Sequence, residues 1–240
     1  MTRPFFPYVA TVLSTAELPA LARNLAAGVI QRTWGWVSRL ASVSPDDAHG
    51  RRFRSMGRGS CIAFPPGAVY GERWVTIGSQ TLIGPHVSLA VGMPNERIDP
   101  AADPVIIIGD RCTVGRGNSI IGRRRIEIED DVTIGPNVYI TDHNHSYDDV
   151  AIPIAQQWLT EDPVRIGRGS WLGAVVIVLP GADIGCNVTV AAGSVVRGRI
   201  PDRSVVAGVP ARVVRRHVEG EGWVPPIRPR DACREVPARP

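Results

Sequence analysis

One spacing constrains this chain more than any other feature. Ile166, Leu172, Val178, Ile184, Val190 and Val196 stand six residues apart without a miss. Gly167, Gly173 and Gly185 follow three of them, and Ser170, Val176, Ala182, Val188 and Ser194 come four residues after the first five. A second run, Ile108, Val114, Ile120, Ile126, Val132 and Val138, keeps the same period beside a parallel frame at Ile128, Ile134 and Ile140. A shorter one holds Ile77-Gly78 and Ile83-Gly84. A helix returns its apolar residues at three and four, and an alternating strand at two, so neither explains a period of six. A short strand, a corner and another short strand do explain it, with glycine relieving the backbone where φ turns positive. Three hexads then close one coil of about 18 residues, the aliphatic side chains stack inside a triangular prism, and successive coils pair as parallel strands about 4.8 Å apart. Each coil buries its face only against its neighbours, so stability accrues coil by coil.

The period runs from about residue 51 to 216 and is broken twice, at 90–104 and at 141–163. Structureless insertions of such length in a compact solenoid are usually functional. Residues 1–50 form a separate N-terminal region in which 18–42 read as an amphipathic helix. Leu18, Ala22, Leu25, Val29, Trp36, Val37 and Leu40 share one arc, opposite Asn24, Gln31 and Ser38. Ser14 with Glu17 offers a capping box, and Pro19 suits the start of the helix proper. Residues 217–240 are proline-rich and read as an irregular tail.

Composition removes several classes. All 27 basic residues are arginine, which excludes a Schiff-base, P-loop or kinase-type lysine. The net charge of +4 is too small to argue for nucleic acid, and no binding motif supports it. No apolar run is long enough to span a membrane. Arg32, Arg39, Trp34 and Trp36 leave peripheral membrane contact through the N-terminal helix as an alternative to packing. The four cysteines, Cys61, Cys112, Cys186 and Cys233, lack metal or disulfide spacing and fit a reducing cytoplasm.

Chemistry concentrates where the period breaks. His143 and His145 lie in Thr-Asp-His-Asn-His, and residues two apart in an extended segment face the same side. Asp142, Tyr147, Asp148 and Asp149 crowd around them. A loop leaving a rigid prism is a good platform for a proton-transfer group.

The hexads resemble the left-handed parallel β-helix of the hexapeptide-repeat acyltransferases, over roughly residues 70–216. The motifs resemble those of the sugar O-acetyltransferase branch that includes maltose and galactoside acetyltransferases. In that branch a Pro-Asn-Val motif precedes the catalytic histidine, and Pro136-Asn137-Val138 places the match at His145, with His143 as the fallback. The resemblance implies direct transfer from acetyl-CoA or another acyl-CoA to a hydroxyl in a ternary complex, with a histidine general base and no metal. It implies the Ala174 N–H as oxyanion donor, Trp171 bordering the pocket, Ala192 against the pantetheine arm, and Arg212 and Arg215 on the CoA phosphates. The relatives' Thr-Lys pair on CoA corresponds to Arg197-Gly198, which makes Arg197 the substitute for the lysine charge. The acceptor side is assigned to Asn118, Asp142, His143, Trp158 and Trp171. Arg123-Arg124-Arg125 stands where relatives have an acidic acceptor residue, and reads either as a solvated face or as a contact for an anionic acceptor. The family assembles as trimers with active sites between adjacent prisms.

The acceptor class implied is a sugar, glycoside, polysaccharide or glycolipid. Transfer to an amino sugar or another amine is the nearest alternative, and a non-catalytic structural β-helix is one of another class. A zinc site of the kind found in β-helical carbonic anhydrases needs an H-x4-H pair, which this chain lacks.

Overall fold

A computed structural model of the chain describes residues 19–92 and 103–225. It divides into two units, Met1–Ala41 and Ser42–Pro240. In the first, helix α1 spans Ala20–Leu40, preceded by Pro19 and closed by the Ala41 N–H donating to the Val37 carbonyl. Leu25, Val29, Ile30, Trp36 and Leu40 are exposed on it. The Ser14–Glu17 capping box, most of the 90–104 insertion and Cys233 lie outside the described residues.

The second unit is a three-faced left-handed parallel β-helix, built from sheets of seven, nine and six strands. Call the faces A, B and C. On face B, Ser55–Met56, Val75–Ile77, Ile106–Ile108, Ile126–Ile128, Val164–Ile166, Asp183–Ile184 and Arg199–Ile200 pair in parallel. Face A carries Leu82–Ile83, Thr113–Val114, Thr133–Ile134, Trp171–Leu172 and Thr189–Val190. Face C carries Ser88–Val91, Ser119–Gly122, Tyr139–Thr141, Ile177–Val178 and Val195–Val196. Every aliphatic of the two long hexad runs is at most 2 % exposed, and all belong to one continuous core. Burying an aliphatic side chain this completely is worth roughly 1.5–3 kcal/mol.

The position four residues after an aliphatic has a structural task. There Thr81 and Ser170 turn a buried hydroxyl along the prism axis and bridge two coils. Thr81 Oγ1 donates to the Gly109 carbonyl and accepts the Cys112 N–H; Ser170 Oγ donates to Gly185 and accepts from Val188. Buried polar groups survive here because both capacities are used.

Register shows where the regularity fails. Ile166 pairs with Ile184 and Leu172 with Val190, eighteen residues on. Ile108 pairs with Ile128, twenty residues on, and Ile128 with Ile166, thirty-eight on. The first excess comes from two extra residues at the Arg123–Arg125 corner, and the second is the 141–163 excursion. The expected tail begins in order: Ala211–Val218 returns antiparallel on Ser204–Gly208, and Gly222–Val224 pairs with it in turn. The remainder from 226 lies outside the described residues.

Candidate active site

The excursion leaves the prism where face C ends. Strand Tyr139–Thr141 runs out, and His143–His145 continues as one arm of an antiparallel pair with Leu159–Glu161. His143 lies opposite Glu161 and His145 opposite Leu159. His145 is exposed, whereas the His143 side chain is only 16 % exposed.

Beneath them sits a buried carboxylate. Asp142 is 0 % exposed. Its oxygens accept the backbone N–H groups of Arg123 (2.9 and 3.1 Å), Arg124 (2.8 Å) and Arg125 (2.7 Å). His143 Nδ1 lies 3.0 Å from Asp142 Oδ1 and 3.2 Å from Thr141 Oγ1. Burial would push the Asp142 carboxyl up, but the hydrogen bonds from His143 and from the Arg124, Arg123 and Arg125 N–H groups outweigh it and hold it below the ordinary carboxylate value. An ionised carboxylate only accepts, so a hydrogen bond between the two is one that His143 Nδ1 donates.

Two residues expected on the acceptor side are buried. Asp142 has no exposed surface, and its oxygens are occupied by the Arg123, Arg124 and Arg125 N–H groups and by His143. Asn118 is 1 % exposed and its Oδ1 accepts the Val138 N–H, tying one coil to the next inside the prism. Among the described residues its Nδ2 has no partner. The arginine triplet has a further part beyond either reading taken from the sequence. Its N–H groups hold Asp142, Arg123 Nε binds Glu161 at 3.0 Å with its side chain 12 % exposed, and Arg125, its side chain 43 % exposed, binds Glu127 at 2.9 Å. Arg124 is exposed, and its Nη1 donates to the Glu161 carbonyl at 3.4 Å. Sequence reasoning also missed Glu161 and Thr141 as partners of the histidine strand. The coil two residues too long at 123–125 was the available signal.

The other expected residues gather elsewhere. Leu172, Val190 and Val206 are in register, which stacks Ala174, Ala192 and Gly208 two residues further along as a column on the edge between faces A and C. The Gly193 N–H donates to the Ala174 carbonyl at 2.9 Å, and the Val175 N–H to Pro136 at 3.0 Å, which fixes this edge. Trp171 lies just before it, 53 % exposed. Arg212, paired with Ala207, and Arg215, paired with Val205, follow on the return strand, both exposed. Arg197 is exposed after Val195–Val196, at the opposite end of face C, and Trp158 is 84 % exposed within the excursion. The histidines and the alanine column therefore occupy the two different edges that bound face C. That face is one short strand wide, six residues or about 20 Å of extended chain.

Among the described residues no group of three or more His, Cys, Asp or Glu side chains is placed to hold a metal ion. No described helix is long and apolar enough to cross a membrane.

Comparison with known proteins agrees with this architecture. A family model described as the hexapeptide repeat of succinyl-transferase matches residues 105–142 and 163–197, and the histidine excursion falls in the gap between the two matches. A Mycobacterium tuberculosis protein named as an acetyltransferase is 37% identical over 143 residues, 60% of this chain and 42% of its own length. An Escherichia coli protein named as a lipopolysaccharide biosynthesis O-acetyl transferase, WbbJ, is 37% identical over 141 residues, 56% of this chain and 70% of its own. Galactoside O-acetyltransferase of Escherichia coli is 30% identical over 144 residues, 60% and 64% of the two chains. This chain thus spans well under half of the mycobacterial relative. Among solved structures, the N-acyltransferase AntD of Bacillus cereus, in complex with dTDP and coenzyme A, superposes with a TM-score of 0.61 over 75% of this chain and 92% of its own, at 19% identity, a likeness of fold. With its coils, its register and these relatives, the chain belongs to the hexapeptide-repeat acyltransferase family.

Proposed function

We propose that the protein is an acyl-CoA-dependent O-acyltransferase, with acetyl-CoA the favoured donor and a hydroxyl of a sugar, glycoside, polysaccharide or glycolipid as acceptor. The observation that carries this reading is the pair of imidazoles on a strand that leaves the prism where the hexads break, the inner one hydrogen-bonded to a buried carboxylate. The sugar-directed names of two relatives support the acceptor class.

In the proposed chemistry, neutral His145 takes the proton of the acceptor hydroxyl as its oxygen attacks the thioester carbonyl. The tetrahedral oxyanion is stabilised by the Ala174 N–H. On collapse the carbon–sulfur bond breaks and the imidazolium returns its proton to the departing CoA sulfur, leaving ester and free thiol. No acyl-enzyme is needed. The column Ala174, Ala192 and Gly208 presents small side chains along one edge, which suits a thin pantetheine arm. Arg212 and Arg215 at its end suit phosphates, because a guanidinium donates two parallel hydrogen bonds. Arg197 and Trp158 remain proposals for CoA charge and for acceptor stacking.

The separation of histidines and alanine column on two prism edges favours a homotrimer in which the histidine strand of one subunit meets the CoA edge of its neighbour. Free thiols at Cys61, Cys112 and Cys186 suit a cytoplasmic location. His143, two residues earlier on the same strand, is the fallback for the base.

The test is thiol release from acetyl-CoA in the presence of sugars, glycosides and amino sugars, with CoA affinity measured in parallel. Acceptor-dependent release with hydroxyl acceptors supports the reading. Release only with amines moves it to N-transfer. CoA binding without turnover on any acceptor contradicts it, and absence of CoA binding favours a structural β-helix.

A further inference from the structure

The carboxylate under the histidine strand has no part in the chemistry above, yet the chain departs from its own period to hold it. An ionised carboxyl offers about four acceptor positions, and Asp142 fills them with three consecutive backbone N–H groups and His143 Nδ1. Consecutive N–H groups converging on an anion form a nest. Here the nest exists because the 123–125 corner is two residues longer than a regular one. The same corner reaches the second arm of the pair, through Arg123 Nε on Glu161 Oε1 and Arg124 Nη1 on the Glu161 carbonyl. The Asp162 N–H returns to the Asp142 carbonyl at 2.8 Å. Both arms that carry and back the histidines are thus fastened to one corner of the preceding coil.

We infer that Asp142 and His143 are positioning residues: Asp142, cradled by the 123–125 corner, fixes the His143 ring through Nδ1, and this sets the strand that presents His145 to substrate. His143 is largely covered and committed at Nδ1, whereas His145, two residues on along the same strand face, is exposed. A buried charge satisfied on all sides does not drift, because each lost partner leaves an uncompensated polar group. The inference rests on the acyltransferase reading for its catalytic consequence, but not for its geometry.

An asparagine at 143 carries an N–H donor where histidine has Nδ1, so it keeps the bond to Asp142 and removes the second ring nitrogen. Under the inference, His143→Ala lowers kcat about 100-fold and leaves KM for acetyl-CoA unchanged. His143→Asn restores most of that loss and keeps the wild-type shape of the kcat/KM pH profile, and Asp142→Asn behaves like His143→Ala. If His143→Asn is as inactive as His145→Ala, His143 is the base and the inference falls. If His143→Ala and Asp142→Asn both turn over like wild type, it falls as well. Ring nitrogen NMR of the unmodified protein tests the geometry apart from activity. The expected result is the Nδ1-protonated tautomer at His143, and an Nε2-protonated ring would overturn the inference even in an active enzyme. Absence of thiol release by wild type, with the Nδ1 tautomer present, would instead fault the acyltransferase reading.

Discussion

The coils from Val164 to Val206, and the 123–125 corner with the 141–163 excursion, are built by the same chain under opposite demands. In the first, the aliphatics from Ile166 to Val196 recur every six residues with no exposed surface, and successive strands of each face pair in parallel eighteen or sixteen residues on. In the second, a corner gains two residues, a strand runs past its edge, and the pairing turns antiparallel. The regular coils spend their side chains on the core and present backbone at the edges. The irregular stretch places ionisable groups in water and holds them by buried charge and backbone N–H groups. Under the proposed function, stability and chemistry are carried by different segments, and variants should separate them.

The largest separation is expected at the ends of the comparison. His145→Ala should lower turnover by about 10²–10⁴-fold, the usual worth of a general base, with the unfolding transition unchanged, as read by thiol release and thermal melting on the same sample. Ile184→Ala should do the reverse. It empties a fully buried core position in a regular coil and should lower stability by about 2–5 kcal/mol, while turnover measured well below the melting point persists. Loss of activity in step with stability in both variants would break the comparison.

Acid should act on the irregular stretch first. The carboxyl of Asp142 is depressed in the folded protein, so its contribution is complete above the ordinary carboxylate value of 3.8 and is lost as pH falls through the lower folded value. Hydrogen exchange of the Arg123, Arg124 and Arg125 amides should therefore rise in acid before that of the Ile166 and Ile184 strands. Equal exchange in both segments would contradict the anchoring role.

The smallest expected effect lies in the regular coils. Val175 adopts φ 59°, where the stacked corner positions carry His86, Gly117, Asn137 and Gly193. A β-branched residue in the left-handed region costs about 1–2 kcal/mol. Val175→Asn should raise stability by about 1 kcal/mol, visible as a higher denaturation midpoint. A lower midpoint would mean that the valine is held by contacts worth more than its strain.

The prism was legible in the sequence because its cause is local: an aliphatic at a fixed interval, a small residue after it, repeated until chance is excluded. The place of the candidate site is marked in the sequence by a break in that interval, with His143 and His145 inside it. The partners were hidden for physical reasons. Asp142 looks like any acid in a polar loop until the 123–125 corner, a coil earlier, supplies its N–H donors. Asn118 is the nearest match to an acceptor-side asparagine of the family it resembles, and the prism turns it inward. Arg123, Arg124 and Arg125 look like one charged patch, whereas their backbone N–H groups converge on Asp142, two of their side chains reach Glu161 and the third Glu127. Such assignments depend on register between coils, which a single coil's sequence does not contain.

The most direct test of the central claim, that the break in the hexads is the reacting centre of an otherwise structural prism, is thiol release from acetyl-CoA by His145→Ala protein that retains wild-type CoA affinity. The expected result is unchanged CoA binding with turnover reduced at least about 100-fold. Turnover equal to wild type at equal CoA affinity would place the reacting base outside the excursion and contradict the account.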